Sequence, residues 1–161
     1  MAKEIERKYL VKDLSFKQLS KGVLYKQGYL STDPKATVRI RVIGQQAFIA
    51  IKGADNGISR IEYEYEIPFD DADKMIGELC HQPIIEKYRY KIEYKGFVWE
   101  IDEFLGDNEG LVVAEIELSR EDEEFMKPDF VGDEVTHDYR YRNSNLVDNP
   151  YKSWNNKTGE Y

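Results

Sequence analysis

Apolar and polar residues alternate with a period of two along most of the chain, and this period is typical of half-buried β-strands. The alternation predicts eight strands, over residues 3–11, 23–31, 36–43, 46–52, 58–68, 84–95, 96–104 and 111–119. Several are joined by very short turns, such as Gly44-Gln45 and Lys95-Gly96. Because connections this short link antiparallel neighbours, we expect a largely antiparallel sheet.

Segments with a helical period are few and short. The pattern predicts helices over residues 13–20, 70–80 and 120–127. In the second of these, acidic residues occupy the first turn, while Met75, Ile76 and Leu79 share one face. Ser119 and Asp122 resemble a capping box for the third helix. We expect all three to lie outside the sheet.

These elements predict a mainly β (α+β) fold. Eight antiparallel strands favour a closed or nearly closed barrel, whose interior is just wide enough for side chains or one small ligand. A two-sheet sandwich would produce almost the same alternation, so periodicity leaves both architectures open. We expect a single domain over residues 1–147 and a frayed polar tail over 148–161, which has no apolar period.

Charged residues separate by sign when each predicted strand is divided into its two faces. Acidic faces belong to the first, fifth, seventh and eighth strands: Glu4, Glu6, Glu62, Glu64, Glu100, Asp102, Glu115 and Glu117. Basic faces belong to the third, fourth and sixth: Arg39, Arg41, Lys52, Lys87, Arg89 and Lys91. A site for a divalent cation and a polyanion needs both sets. The alternative is a solvated sheet face, the usual role of such a face on one strand, and we assign it to Glu66, Lys91, Glu93 and Glu100.

Bulk composition limits the classes of partner and compartment. The formal net charge is −8, and binding to nucleic-acid phosphates needs a basic surface, so we expect no nucleic-acid partner. Cys80 is the single cysteine, which excludes a disulfide within one chain. No apolar run reaches the roughly 18 residues of a membrane helix, and the N-terminus has no apolar signal core. We therefore expect a soluble cytoplasmic protein that does not enter membranes.

Other common catalytic patterns are missing from the sequence. It contains no Walker-type glycine loop to cradle phosphates. His81 and His137 lack the spacing of zinc ligands. No local signature supports a Ser-His-Asp or Cys-His nucleophile.

The N-terminal segment Glu4-Ile5-Glu6-Arg7-Lys8 matches an ExExK motif. Further matching segments follow in family order: 26–30 (KQGYL), 38–42 (VRIRV), 51–53 (IKG), 59–67 (SRIEYEYEI), 85–90 (IEKYRY), 99–102 (WEID), 114–118 (AEIEL), 132–136 (GDEVT) and 138–143 (DYRYRN). Together they resemble the CYTH superfamily, also called triphosphate tunnel metalloenzymes, and most closely its short, single-domain bacterial members. The resemblance covers residues 3 to about 147.

This resemblance implies a closed eight-stranded barrel that forms a tunnel, with charged residues inside, and an enzyme that uses Mg²⁺ or Mn²⁺ to act on triphosphates. The implied metal ligands are Glu4, Glu6, Glu115 and Glu117. The implied catalytic residues are Glu62, Glu64 and Asp102, which support metals or the attacking water, and Lys87. The implied phosphate-binding residues are Lys8, Arg39, Arg41, Lys52, Lys87, Arg89 and Arg140.

Our hypothesis for the mechanism uses two metal ions. One is held mainly by Glu4, Glu6 and a carboxylate of the last strand and binds phosphate oxygens, and the second, nearer Glu115 and Glu117, activates a water. We expect hydrolysis of inorganic tripolyphosphate first, since a tunnel that contacts only phosphates needs no base pocket, and of nucleoside triphosphates next. The alternatives are a class IV-type adenylyl cyclase, a thiamine triphosphatase and a non-catalytic polyphosphate or organophosphate binder. Apolar outward faces also allow a homodimer.

Overall fold

The computed structural model describes residues 3–154. Within this range it contains nine strands: β1 Lys3–Val11, β2 Val23–Ser31, β3 Ala36–Ile43, β4 Gln46–Asn56, β5 Ser59–Ile67, β6 Ile85–Tyr94, β7 Phe97–Phe104, β8 Val112–Glu117 and β9 Val131–Glu134. It also contains two α-helices, α1 Phe69–Glu78 and α2 Asn143–Asp148, and four 3₁₀ turns, Ser15–Gln18, Gly106–Asn108, Tyr139–Tyr141 and Tyr151–Ser153. No helix in the described part of the chain is long and apolar enough to cross a membrane.

Eight strands close into an antiparallel barrel in the order β5-β4-β3-β2-β6-β7-β8-β1. Closure occurs where the start of β1 pairs again with β5, from Lys3 opposite Ile61 to Ile5 opposite Ser59. β9 lies outside this ring and pairs with the end of β1. The predicted barrel is therefore confirmed, and the sandwich alternative is excluded.

The outer surface of the barrel is covered in two places. Helix α1 packs Ala72 and Ile76 over the outward side chain of Ile40 on β3. On the opposite side, Trp99 of β7 is completely buried and contacts Phe125, whose ring centroid lies 5.8 Å away. Each buried side chain of this size contributes about 1.5–3 kcal/mol, so these two covers hold the strands together from outside.

One end of the barrel interior is apolar. Leu10, Ile85, Phe104 and Val113 continue the inward positions of four strands beyond their charged residues, and all are buried. The chain after residue 140 packs against them with the buried side chains Tyr141, Leu146, Val147, Tyr151 and Trp154. This apolar plug, defined by these nine side chains, fills that end of the barrel.

Two expectations about helices and the tail need correction. Residues 120–127 form a bend, a turn and irregular chain instead of a helix, and the backbone N–H and hydroxyl of Ser119 donate to the Glu123 side chain. The expectation of a frayed tail is wrong for residues 148–154, since the side chains of Tyr151 and Trp154 anchor this segment in the apolar plug. Residues 155–161 of that tail lie outside the described residues, and the domain boundary at 147 stays a prediction.

Two smaller differences concern elements near the ends of strands. The helix expected over residues 13–20 is a single 3₁₀ turn, Ser15–Gln18, with Phe16 completely buried. The ninth strand was not expected from the sequence. It is only four residues long, Val131–Glu134, and its first two residues are both buried, so it shows no alternation.

Candidate active site

A cavity of about 350 Å³ occupies the charged part of the barrel interior. Twelve of the fourteen residues predicted for the site line it: Glu4, Glu6, Lys8, Arg39, Arg41, Lys52, Glu62, Glu64, Lys87, Arg89, Glu115 and Glu117. Alternation therefore sorted these side chains correctly, because closure of the sheet turns one face of every strand inward. Glu100 and Lys91 also border the cavity, and Lys91 is largely exposed, in agreement with the solvated position expected for it.

The two predicted residues that do not line the cavity are Asp102 and Arg140. Asp102 is completely buried behind the cavity wall, where it accepts hydrogen bonds from Lys87 and Arg89. Arg140 lies outside the cavity, pairs with Asp138 at 2.7 Å and stacks on the ring of Trp154. Asp102 therefore supports Lys87 and Arg89 from behind the cavity wall, and Arg140 does not line the cavity.

Glu4, Glu6, Glu115 and Glu117 form the carboxylate wall of the cavity. The wall exists because β1 and β8 are neighbours, with Glu6 directly opposite Glu117 and Lys8 directly opposite Glu115. Glu4 is paired with Lys52, whose Nζ lies 2.9 Å from its Oε1. Carboxylates from two neighbouring strands therefore converge on one side of the cavity.

Glu6 and Glu115 both belong to this wall, but their pKa values are shifted in opposite directions. Burial raises the pKa of Glu6 well above its usual value, and the adjacent charges of Glu115 and Glu4 raise it further. Burial also opposes ionisation of Glu115, but Lys8 and Arg89 outweigh it and hold the Glu115 pKa below its usual range. Arg89 Nη2 lies 3.3 Å from Glu115 Oε1, and Lys8 Nζ lies 3.7 Å from Oε2. Glu6 is therefore harder to ionise than Glu115, because negative charges crowd around it in the carboxylate wall.

Lys87 and Arg89 on β6 are anchored by Asp102 on β7. Lys87 Nζ donates to Asp102 at 2.7 Å, and Arg89 donates to both oxygens of the same carboxylate at 2.8 and 2.9 Å. Burial, Arg89 and Arg41 lower the pKa of Lys87 to about 7, although Asp102 acts in the opposite direction. Lys87 is therefore a cavity amine that can gain or lose its proton near neutral pH.

Arg39 and Arg41 on β3 form the arginine wall, and their charges are only partly compensated. Arg39 Nη2 lies 3.2 Å from Glu64, but its buried Nε has no hydrogen-bond partner within residues 3–154. Arg41 forms no ion pair with any described residue. Burial, followed by repulsion from Arg39 and Arg89, lowers the Arg41 pKa to about 9. Free donors on buried cations indicate a site for an anion.

Two further arginines line the cavity and were not identified from the sequence. Arg60 shares its face of β5 with Glu62, so the same alternation could have found it. Arg142 follows the last strand and pairs with Asp55 at 2.6 Å, which brings it over the cavity. No strand period applies to Arg142, because it lies in the connection between a 3₁₀ turn and α2.

The chemistry of the carboxylate wall fits a hard divalent cation, which prefers carboxylate oxygens. The crowding of four carboxylates on two paired strands, with Glu6 directly opposite Glu117, is the structural observation that supports this fit, since a cation would compensate for their negative charge. Among the described residues no three acidic, histidine or cysteine side chains are already grouped around one point. The residue types therefore suit a divalent cation, and the side chains would have to move closer together to bind it.

A sequence model of the family described as the CYTH domain matches residues 2–151. This chain belongs to the CYTH domain family. The resemblance predicted from the ExExK motif and the segments that follow it is thereby confirmed. Triphosphatases of the CYTH family are typically metal-dependent, in agreement with the donor set of the carboxylate wall.

Proteins named as inorganic triphosphatases are similar to this chain along nearly its whole length. An inorganic triphosphatase of Acetivibrio thermocellus is 55% identical over 154 residues, which cover 96% of this chain and 99% of the relative. An inorganic triphosphatase of Nitrosomonas europaea is 35% identical over 148 residues, covering 89% and 96%. The crystal structure of the inorganic triphosphatase NE1496 superposes with a TM-score of 0.64 at 32% identity, covering 89% of this chain and 96% of that one.

Proposed function

We propose that this protein is a metal-dependent inorganic triphosphatase that hydrolyses a terminal phosphate of inorganic tripolyphosphate. The observation that carries the proposal is the pairing of a carboxylate wall with an arginine wall across one small cavity. The first suits a divalent cation and the second a polyphosphate. The two relatives named as inorganic triphosphatases support the same substrate.

We assign phosphate binding to the cations that still have N–H donors without a hydrogen-bond partner among the described residues. Arg39 and Arg41 offer terminal N–H groups, and guanidinium forks match phosphate oxygens in geometry. Lys8 and Lys52 also line the cavity, although each is close to a glutamate. We assign the anchoring of the substrate to the arginine wall and the balancing of charge along it to the lysines.

The size and shape of the cavity favour an inorganic substrate. Ligand pockets span roughly 300–1,000 Å³, and this cavity lies near the lower limit at about 350 Å³. The apolar plug fills one end of the barrel, so a long ligand cannot extend through that end. A chain of three phosphates fits such a space, while a nucleoside would have to remain outside the open end.

Two Mg²⁺ or Mn²⁺ ions are the cofactors that we assign to the site, with Glu4, Glu6, Glu115 and Glu117 as their ligands. Bound divalent ions would supply charge neutralisation on phosphate oxygens and a water activated for attack. The residues of the chain hold the reacting groups in place: Glu62 and Glu64 lie beside the phosphate-binding cations of β3 and β4. Arg89 and Lys87, held by Asp102, face the charge that develops on the leaving phosphate.

The decisive experiment measures phosphate and product release from inorganic tripolyphosphate and ATP in parallel, with Mg²⁺, with Mn²⁺ and in EDTA. We expect metal-dependent cleavage of tripolyphosphate well above that of ATP. Comparable hydrolysis of ATP to ADP would indicate a general nucleoside triphosphatase. Cyclic AMP with pyrophosphate would indicate an adenylyl cyclase.

A non-catalytic binder would retain tripolyphosphate with metal present and release no phosphate. In that case thiamine triphosphate is the next substrate to test. The cytoplasmic location and the homodimer stay predictions, and gel filtration with light scattering tests the second.

A further inference from the structure

Gln27 is a completely buried polar residue next to the cavity. It lies on β2 between Tyr25 and Tyr29, which both line the cavity and share its inward face. Burying an amide without hydrogen bonds is costly. An apolar residue would fill this position without that cost, so the partners of the Gln27 amide reveal what it does.

Both ends of the Gln27 amide are used. Its Oε1 accepts a hydrogen bond from Arg41 Nε at 3.0 Å. Its Nε2 donates to Asn143 Oδ1 at 3.0 Å and to the Tyr29 hydroxyl at 3.3 Å. Asn143 Oδ1 in turn accepts from Lys87 Nζ at 2.8 Å. Because arginine and protonated lysine only donate, this network determines the orientation of both amides.

Arg41 is held in one orientation by these contacts. Gln27 binds its Nε, and its guanidinium lies 5.1 Å from the centre of the Tyr25 ring. The two terminal nitrogens keep their N–H donors, and they form no ion pair with a described carboxylate. The cation is therefore oriented but not neutralised.

Lys87 is oriented in a similar way from the other side of the network. Its ammonium has three N–H donors. Asp102 accepts one at 2.7 Å and Asn143 accepts another at 2.8 Å. One donor remains for a ligand in the cavity, which Lys87 lines.

The neutrality of the two amides matters for an anion site. A carboxylate at residue 27 would orient Arg41 equally well, but it would compete with phosphate for the same cation. Arg89 illustrates this case, since it is surrounded by Asp102, Glu100 and Glu115. An amide holds the cation through a weaker, uncharged hydrogen bond and leaves its charge available.

We propose that Gln27 and Asn143 form a relay of two amides that positions Arg41 and Lys87 for tripolyphosphate hydrolysis without adding a further negative charge beside them. Both amide residues act as positioning residues, because they orient the cations that contact the substrate. The inference rests on the proposed function, because it assigns the two cations to binding and turnover of the same substrate. The relay joins β2 to the chain that follows the barrel, so it also ties the C-terminal segment to the site.

The test compares kcat and KM for inorganic tripolyphosphate with Mg²⁺ in the wild type, Gln27→Leu, Asn143→Ala and the double variant. Misplacing a reacting group by about 1 Å can cost on the order of 100-fold, so we expect each single variant to lose roughly 10- to 100-fold in kcat/KM. Gln27→Leu should raise KM as well as lower kcat, because it also releases Arg41. Asn143→Ala should act mainly on kcat.

The double variant should lose clearly less than the product of the two single losses, because both substitutions break one network. A loss equal to that product, or wild-type kinetics in a folded Gln27→Leu, overturns the proposal. Gln46→Leu is the matched control at an exposed position of β4. If Gln27→Leu does not fold, Asn143→Ala decides alone, since Asn143 is only partly buried, and an unchanged kcat in it overturns the relay.

Calorimetric titration with inorganic tripolyphosphate in EDTA separates this inference from the proposed function. No turnover is expected in EDTA, so the triphosphatase would be contradicted only if the wild type binds tripolyphosphate there and still releases no phosphate once Mg²⁺ is added in excess. Weaker binding by Gln27→Leu than by the wild type would then still support the orientation of Arg41. Equal binding by the two proteins would overturn it.

Discussion

The two walls of the cavity carry opposite charges, and they are compensated to different degrees. In the carboxylate wall, Glu4 pairs with Lys52, and Glu115 lies beside Lys8 and Arg89. In the arginine wall, Arg39 has a free buried Nε, and Arg41 is held by an amide. The barrel places its own cations beside Glu4 and Glu115, whereas part of the charge of the arginine wall remains available for an external anion.

This difference follows from how the strands are arranged around the ring. Lys8 lies directly opposite Glu115 on the neighbouring strand, while Lys52 of β4 and Arg89 of β6 reach Glu4 and Glu115 past one intervening strand. The arginines of β3 have β2 and β4 as neighbours, whose inward residues include aromatic and small side chains: Tyr25, Tyr29, Phe48 and Ala50. Such neighbours shape the site without neutralising it. Four predictions test the comparison, from the largest expected effect to the smallest.

Arg89→Met should be strongly destabilising, whereas Arg41→Met should cost less in the absence of an anion, since only the neutral Gln27 Oε1 then loses its donor. Removing Arg89 leaves the buried Asp102 short of a partner, and breaking such a pair costs about 3–5 kcal/mol. Removing Arg41 leaves no carboxylate unpaired among the described residues. Urea denaturation of both variants at neutral pH measures the free energies of unfolding, and equal losses would contradict the asymmetry between these arginines.

Glu6→Gln should nearly abolish turnover and preserve the fold. The amide is close in shape to a carboxyl and removes a charge whose ionisation burial already opposes, but it is a poorer ligand for a divalent cation. Loss of one electrostatic contact at a reacting centre costs roughly 100- to 1,000-fold. Phosphate release and circular dichroism provide the measurements. Glu93→Gln, at an exposed position of β6, is the control, and near-wild-type turnover in folded Glu6→Gln would exclude Glu6 as a metal ligand.

Arg41→Met should weaken the binding of inorganic tripolyphosphate by roughly 10- to 100-fold, because a hydrogen bond to a charged group contributes about 1.5–3 kcal/mol. Titration calorimetry in EDTA measures this affinity without turnover. Lys26→Met removes a positive charge from an exposed position of β2 and serves as the control. Similar losses in both variants would mean that the phosphates are attracted by overall charge and not by the arginine wall.

Lys87 should make the free energy of unfolding rise with pH above neutrality. Its folded pKa is about 7, whereas the ordinary value is 10.5. Between these values the unfolded chain keeps a proton that the folded protein has lost, so stability increases as pH rises and falls as pH returns to 7. We expect about 1 kcal/mol between pH 7 and 8. Lys87→Met should remove this increment, and an equal pH dependence in both proteins would contradict the lowered pKa.

Much of the site was predictable because a strand has a rigid period. Glu4, Glu6 and Lys8 could be assigned to one face from their spacing alone, and the same spacing would have found Arg60. Arg142 and Asn143 could not be found in this way. They follow the last strand, and their positions depend on Asp55 and Gln27, which are far away in the sequence.

The interpretation of Asp102 shows a second limit. Alternation correctly placed it on the inward face of β7, but burial behind Lys87 and Arg89 depends on how far each side chain reaches into the barrel. Arg140 shows a third limit, since its motif position does not reveal that Asp138 and Trp154 hold it outside the cavity.

The sequence by itself determined the strands, their antiparallel connections and the sorting of charge to one face, because these depend on local backbone geometry. The order of motifs also identified the family. Only the tertiary structure decided which face is interior, how the apolar plug ends the cavity and which cations remain uncompensated. Those properties arise from the closure of β1 on β5 and from contacts between residues distant in sequence, whose distances no local pattern contains.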